Sequence, residues 1–220
     1  MVLPPPHNKN RLSDVDIEAF AQWARERDIG YVFGDVSVLD LFPVRHSDAR
    51  EHRDFDHLRP NLVFRGDFDA RRFTFFAATS ALSVGHGARS EVAHTHLACL
   101  ELPGPCPRLD VGFESVLSPV RRTMGLGDEL FGGNDAFDRY FNIDVDETDI
   151  RFARDVFTDS TRDWLVNDPL ARALPFRFDG GSLVMVGSGP LLNPQQGLDM
   201  VAFLYQLYTR VPPGWWRKIA

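Results

Sequence analysis

Apolar residues recur at every third or fourth position near both ends of the chain, and this spacing predicts a helix at each end. The N-terminal helix is expected to begin at Ser13, a residue type that caps helices, and to end at Gly30. The C-terminal helix is expected to begin after Asn193 and to end before Pro212. The apolar positions of the two helices are Ile17, Phe20, Ala21 and Ala24, and Leu198, Val201, Leu204, Tyr205 and Tyr208.

Between the two helices, short runs of aromatic and β-branched residues predict strands. The runs at 62–64 and 73–77 are separated by the turn-forming stretch GDFDA, which indicates a hairpin. Residues 91–102 are predicted to form a further strand, and we expect the following PGPCP to end it, because proline cannot donate to a strand ladder. In FDRYFNIDVD, at 137–146, polar and apolar residues alternate as they do in a strand.

The stretch FRFDGGSLVMV indicates a second hairpin, with its turn at Gly180 and Gly181. Asp146 and Thr158 each precede a short segment of helical spacing and are expected to cap it. Strands joined by hairpins, with helices in separate groups, are typical of the α+β class. The predicted fold is therefore an antiparallel sheet, or two such sheets, with the N-terminal and C-terminal helices packed on it.

The Gly-rich acidic stretch near 125–133 is the best candidate for a boundary within the chain. We predict an α+β half on either side of it, the alternative being one continuous domain. A disordered lead-in and a short tail are expected to flank the halves. The ranges are 1–12 for the lead-in, 13–124 for the N-terminal half, 134–213 for the C-terminal half and 214–220 for the tail.

The composition is that of a globular protein with an acidic surface. The 220 residues are 44% hydrophobic, which allows a sizeable core, and the net charge of −7 gives no reason to bind a nucleic-acid backbone. The charge is concentrated at 110–149, where ten acidic residues are accompanied by three arginines. We therefore expect a protein partner to bind there, at Asp144, Asp146 and Glu147. The alternative is an ordinary solvated acidic surface.

The sequence contains neither an apolar run of membrane-spanning length nor an export signal. We therefore expect a cytoplasmic location and free thiols at Cys99 and Cys106. The tail contains Trp215 and Trp216 beside two basic residues, a combination that suits a partner surface or peripheral contact with a membrane. The alternative is that both rings pack on the domain.

Three of the seven histidines, His86, His94 and His96, occur close together. On a strand, His94 and His96 point to the same face, where two imidazoles can bind zinc. A zinc site needs a third protein ligand, either His86 or a distant acid, and the sequence has none of the characteristic zinc spacings. The ordinary interpretation is that the polar end of a strand carries histidines. No cofactor is predicted, because GSGP at 187–190 lacks the lysine of a phosphate loop.

The order of these pieces resembles that of a family of actinobacterial proteins that carry a domain of unknown function. The resemblance rests on IEAFAQWARERDIGYV, NLVFRGDFDARRFTFF, THLACLELPGPCPRLDV, FDRYFNIDVDE, WLVND, FRFDGGSLVMVGSG and LDMVAFLYQLYTRVPP. Members of that family often look membrane-tethered, with apolar spans ahead of this domain. We do not expect such spans in this chain. The resemblance implies no reaction, because the shared positions are apolar or turn-forming.

Two functions are consistent with the sequence. The first is a non-catalytic module that binds a protein partner through the acidic segment or the Trp-rich tail. The second, the alternative, is a metal-dependent or small-molecule enzyme that uses His94 and His96. We favour the first, because folding explains every strong signal in the sequence. The enzyme predicts a polar pocket in which the two histidines meet a carboxylate or His86, and the binding module does not.

Overall fold

The computed structural model describes residues 14–33, 59–84, 89–113, 135–189 and 193–216. These residues form an α+β fold in which a six-stranded antiparallel sheet is accompanied by helices from both ends of the chain, as predicted. The strands are β1 (Gly30–Phe33), β2 (Arg59–Phe68), β3 (Arg71–Val84), β4 (Arg89–Phe113), β5 (Phe141–Val145) and β6 (Phe176–Ser188). The helices are α1 (Asp14–Arg25), α2 (Asp135–Tyr140), α3 (Ile150–Val156), α4 (Asp159–Asn167) and α5 (Gln195–Arg210).

Helix α1 ends earlier than the sequence predicted, at Arg25 and not at Gly30. Asp28 adopts the left-handed conformation, with a φ of 54°. Its N–H donates to the carbonyl of Arg25 at 3.3 Å, and the N–H of Ile29 donates to the carbonyl of Ala24 at 3.0 Å. This pattern closes a helix C-terminus around a left-handed residue. Asp28 therefore takes the role that we assigned to Gly30, and Gly30 begins β1.

The first predicted hairpin is confirmed. Strands β2 and β3 pair antiparallel, and only Asp69 and Ala70 connect them. Both residues have positive φ, 47° and 62°, as in the type I′ turn that suits the twist of a two-residue hairpin. Strand β3 then pairs with the first part of β4, so that β1, β2, β3 and β4 follow one another across the sheet.

Strand β4 continues through the proline-rich stretch that we expected to end it. Its pairing with β3 stops at Leu100, and its pairing with β5 starts at Leu109. Between these positions its register with β6 shifts twice, once on either side of Cys106. The prolines of PGPCP therefore lie where β4 forms no regular ladder, and a missing N–H group is tolerated at such irregular positions.

Strand β6 is folded back on itself at the predicted Gly180–Gly181 turn. The N–H of Val186 donates to the carbonyl of Pro175 at 3.1 Å, whereas a straight strand would hold these residues about 36 Å apart. The φ angle is positive at Gly180, at 57°, and not at Gly181. This is the pattern of the type II′ turn found in two-residue hairpins. The second predicted hairpin is therefore confirmed, although it lies within one long strand element.

The two arms of β6 lie between two parts of β4. The arm 182–188 pairs with residues 95–101, and the arm 176–178 pairs with residues 109–111. Strand β5 pairs with the same second part of β4, on the side away from β6. The sheet thus interleaves strands from the N-terminal and C-terminal halves of the sequence.

The predicted strand 137–146 is a strand only in its second half, because helix α2 extends to Tyr140 and β5 begins at Phe141. Phe137 and Phe141 are both buried, and their ring centroids are 4.9 Å apart. These two aromatic residues are four positions apart, which is a helical spacing. Because polar and apolar residues also alternate from Phe137 onward, the sequence analysis assigned these residues to a strand and missed the helical spacing.

Each face of the sheet carries a cluster of buried apolar side chains. One, the helical face, packs against the helices and forms the larger core, which includes Phe64, Phe75, Phe178 and Leu204. The other, the second face, carries a smaller apolar cluster made of Val63, Phe76, Ala78, Leu97, Cys99 and Val184. Because side chains alternate along a strand, each polar residue of the sheet belongs to one of these two faces.

Candidate functional site

His96 lies on the helical face of β4, opposite Gly187 of β6. Its ring occupies the space that a side chain at position 187 would need, since a Cβ on Gly187 would lie 2.0 Å from Nε2 of His96. Nδ1 lies 3.4 Å from the carbonyl oxygen of Gly189, and the residue is 9% exposed. Burial lowers the pKa of His96 below its ordinary value of 6.5, against the opposing effect of the Gly189 carbonyl. The imidazole is therefore a neutral, packed side chain at pH 7.

His94 is half-buried and, two positions earlier on β4, belongs to the same face as His96. His86 lies outside the described residues. In the five described ranges, no three histidine, cysteine, aspartate or glutamate side chains are grouped as metal ligands. The metal-dependent alternative therefore remains a prediction, and it requires a ligand from the rest of the chain.

The two cysteines are free thiols, as expected. Cys99 is buried on the second face, and burial raises its pKa to about 12. The Sγ atom of Cys106 donates to the carbonyl oxygen of Gly180 at 3.0 Å, and burial raises the pKa of this thiol as well. A nucleophilic cysteine needs a lowered pKa. Neither residue therefore has the properties of a catalytic thiol.

Trp215 and Trp216 are half-buried and pack against the large core. Nε1 of Trp215 donates to Oδ2 of Asp155 at 3.0 Å, and its ring meets the edge of Phe152 at 5.0 Å. The ring of Trp216 lies 5.6 Å from that of Tyr208. These contacts agree with the packing alternative. Contact of the tail with a partner or a membrane stays a prediction.

The predicted acidic residues are all exposed and lie in one continuous stretch of chain. Asp144 is on β5, opposite Asp110 of β4. Asp146 and Glu147 follow, at the start of a 3₁₀ turn. Oδ1 of Asp146 accepts hydrogen bonds from the N–H of Thr148 at 2.9 Å and from its hydroxyl at 2.8 Å, which lower the pKa of Asp146. The predicted capping role of Asp146 is confirmed. We call residues 141–149 the acidic edge.

Two exposed aromatic side chains lie at the start of the acidic edge, and the sequence analysis missed both. Phe113 is the register partner of Phe141, and Tyr140 directly precedes Phe141. Phe113 is 41% exposed and Tyr140 is 44% exposed. The guanidinium carbon of Arg172 lies 5.8 Å from the centre of the Tyr140 ring. For Tyr140, a signal of exposure was present in the sequence, because the alternating pattern at 137–146 groups it with polar residues.

A second feature that the sequence analysis missed is an ionic cluster beside the acidic edge. Nη2 of Arg177 lies 3.2 Å from Oδ2 of Asp179, and Nη1 lies 3.9 Å from Oδ1 of Asp110. Asp110 also accepts a hydrogen bond from Nε of Arg108 at 2.8 Å. Arg177 and Asp179 are each only 8% exposed. In these contacts, two arginines face two aspartates beside the acidic edge.

The fold, compared with known structures, is similar to that of a mycobacterial protein, the trehalose monomycolate transport factor A, TtfA. The similarity covers 87% of this chain and 93% of that chain, with a TM-score of 0.50 and 12% sequence identity. At this identity the similarity shows a shared fold. No family model matches the sequence, and no curated protein is similar to it. None of the described helices combines the length and the apolar character that crossing a bilayer requires.

Proposed function

We propose that this chain is a non-catalytic binding module that engages a protein partner through the acidic edge. The observation that carries the proposal is the exposure of Asp144, Asp146 and Glu147 in one stretch of chain, which follows directly on the exposed Tyr140 and on Phe141, the register partner of the exposed Phe113. Aromatic side chains are enriched in protein interfaces, and charged side chains select the partner and speed its association.

The positions of the chemically reactive side chains support a role without catalysis. The imidazole of His96 is packed on Gly187, and the pKa values of the thiols of Cys99 and Cys106 are raised by burial. Catalytic groups are usually marked by pKa values matched to a reaction and by access to a cleft. These three side chains serve packing in the sheet instead.

The shared fold supports a further step, in which the binding module acts within a transport process. A solved structure with this fold is named as a transport factor. Folds host many functions, so the transport role rests on analogy with that protein. The resemblance of the sequence to actinobacterial proteins stays a prediction, as does the cytoplasmic location.

The proposal is tested by neutralising the acidic edge without disturbing its backbone. The variant D144N/D146N/E147Q removes three charges and keeps a capping side chain at position 146, because asparagine caps as well as aspartate. The matched control, E26Q/D163N/D199N, removes three other exposed charges. Wild type and both variants are cross-linked in the native organism, and the captured proteins are quantified by mass spectrometry.

We expect one protein to be captured by wild type and by the control variant, and to be reduced about fivefold or more by the edge variant. Equal capture by the two variants would show that the acidic edge is an ordinary solvated surface. Metal analysis of the purified protein tests the enzyme alternative. A stoichiometric transition metal that is lost in H94A/H96A would reverse our order of the two functions.

A further inference from the structure

Strand β5, within the acidic edge, is an edge strand among the described residues. It pairs with Leu109–Phe113 of β4 on one side, and no other described strand pairs with its second side. The unpaired side of an edge strand presents N–H and C=O groups that another chain can bond. The five register pairs between β5 and β4 contain no bulge, so these groups keep the regular spacing of a strand.

The composition of β5 bears on what can pair with its outer side. Natural sheets protect their edges with lysine and other charged side chains, with proline, with bulges or with short strands, all of which hinder pairing with other chains. The sequence of β5, FNIDV, contains neither lysine nor proline. Its single charge is the exposed carboxylate of Asp144. That charge opposes an acidic strand and attracts a basic one.

The alternation of β5 specifies the side chains that a pairing strand would need. Ile143 and Val145 pack against the large core on the helical face, and Asp144 lies on the other face. Side chains on adjacent strands lie about 4.5–5.5 Å apart when they are directly opposite. A partner residue opposite Asp144 should therefore be basic, and its neighbours beside Ile143 and Val145 should be apolar.

A second copy of this chain fits the edge less well than a basic segment. Parallel pairing of two β5 strands would place two Asp144 side chains close together. Antiparallel pairing centred on Ile143 would place Asp144 opposite Asn142 of the other copy, which gains no opposite charge. Like charges on adjacent strands are destabilising. The net charge of −7 adds repulsion between copies.

We propose that the partner contributes an extended segment of alternating basic and apolar residues, which pairs with the outer side of β5 and extends the sheet. Main-chain hydrogen bonds provide affinity in this mode of recognition, and alternate side chains provide specificity. Asp146 and Glu147 continue the acidic surface beyond Val145, where a longer segment meets them. This inference rests on the proposed function and names the chemistry of the partner.

The test uses three synthetic peptides with the full-length protein. The first alternates valine and lysine over eight residues, VKVKVKVK. The second, VEVEVEVE, reverses the charge. The third, PKPKPKPK, keeps the charge and replaces every valine with proline, which cannot donate a main-chain hydrogen bond. Affinity is measured by calorimetry at two salt concentrations, and hydrogen exchange with mass spectrometry reports protection at residues 141–145.

We expect the first peptide to bind, more weakly at high salt, and to protect residues 141–145 from exchange. The second and third peptides should not bind. D144K should weaken binding of the first peptide at least about fivefold, whereas D163K, at an exposed position on α4, should not. Because a charge reversal can also affect folding, D144N provides a milder variant, and circular dichroism confirms the fold of each.

Equal binding of VKVKVKVK and PKPKPKPK would overturn strand pairing and leave only charge attraction. Failure of VKVKVKVK to bind, or protection at residues other than 141–145, would overturn it as well. None of these three results contradicts the proposed function if the D144N/D146N/E147Q variant still loses its captured partner. Loss of strand pairing and loss of the binding module are therefore separate outcomes.

Discussion

His96 and Gly187 occupy facing positions of β4 and β6, and the imidazole lies where a side chain at position 187 would begin. The helical face at this point also includes the ring of Phe75, whose centroid is 6.5 Å from that of His96. Close packing of this kind leaves little room for added atoms. The glycine and the histidine are thus one packing unit.

We expect Gly187→Ala to lower the free energy of unfolding by about 1–3 kcal/mol, the range for an overpacked core. Gly112→Ala is the matched control, because it lies in the same sheet and a Cβ there meets no atom within 4 Å. The measurement is urea denaturation of each variant. In the H96A background the cost of Gly187→Ala should shrink, and an unchanged cost would show that the two residues are not coupled.

Acidification should destabilise the protein through His96. Burial lowers the pKa of His96 in the folded state, so the unfolded chain binds the proton more readily. Stability is therefore fully present above the unfolded value of about 6.5 and falls as the pH drops from there toward the lowered folded pKa, by at most about 1.4 kcal/mol per pH unit. Urea denaturation between about pH 7.5 and pH 5.5 measures this slope. His96→Gln should flatten it, and an equal slope in that variant would assign the effect to other groups.

Among the elements, those fixed by near neighbours in sequence were predicted best. The hydroxyl of Thr158 accepts from the N–H of Thr161 at 3.4 Å at the start of α4, and Asp146 accepts from Thr148. Each contact joins residues at most three positions apart, so a short stretch of sequence contains both partners. The two hairpin turns are local in the same sense, and both were predicted.

The interleaving of β4 and β6 could not be predicted from short stretches of sequence. It pairs Thr95 with Ser188 and Val111 with Phe176, residues that are distant in sequence. The site shows the same limit. The charge of the acidic edge is visible in the composition, whereas the meeting of Phe113 with Phe141 depends on the register between β4 and β5.

The β6 turn offers a clean test at the level of one element. Gly180→Ala should lower the free energy of unfolding by about 1 kcal/mol, because its φ of 57° is unfavourable for a residue with a Cβ. Gly181→Ala should stay within about 0.5 kcal/mol of wild type. A Cβ meets no atom within 4 Å at either position, so only the backbone conformation differs. Equal denaturation midpoints for the two variants would contradict the type II′ turn.

At the scale of the whole molecule, the sheet joins the two predicted halves of the sequence. The arms of β6, from the C-terminal half, lie between two parts of β4, from the N-terminal half. Removal of either half would leave long strand edges of the other unpaired. We therefore propose that the two halves unfold together, as one cooperative unit.

Tryptophan fluorescence tests this cooperativity, since each half has its own reporter. Trp23 of α1 meets the edge of Phe64 at 5.6 Å, and Trp164 of α4 stacks on Phe203 at 5.0 Å. Two variants, each retaining one of these tryptophans and carrying phenylalanine at the other three positions, are unfolded in urea. Within each variant the fluorescence midpoint should coincide with the midpoint from far-UV circular dichroism. Comparison within one protein removes the effect of the substitutions on stability. A separate midpoint for either reporter would show that the halves unfold independently, despite the strand pairing that joins them.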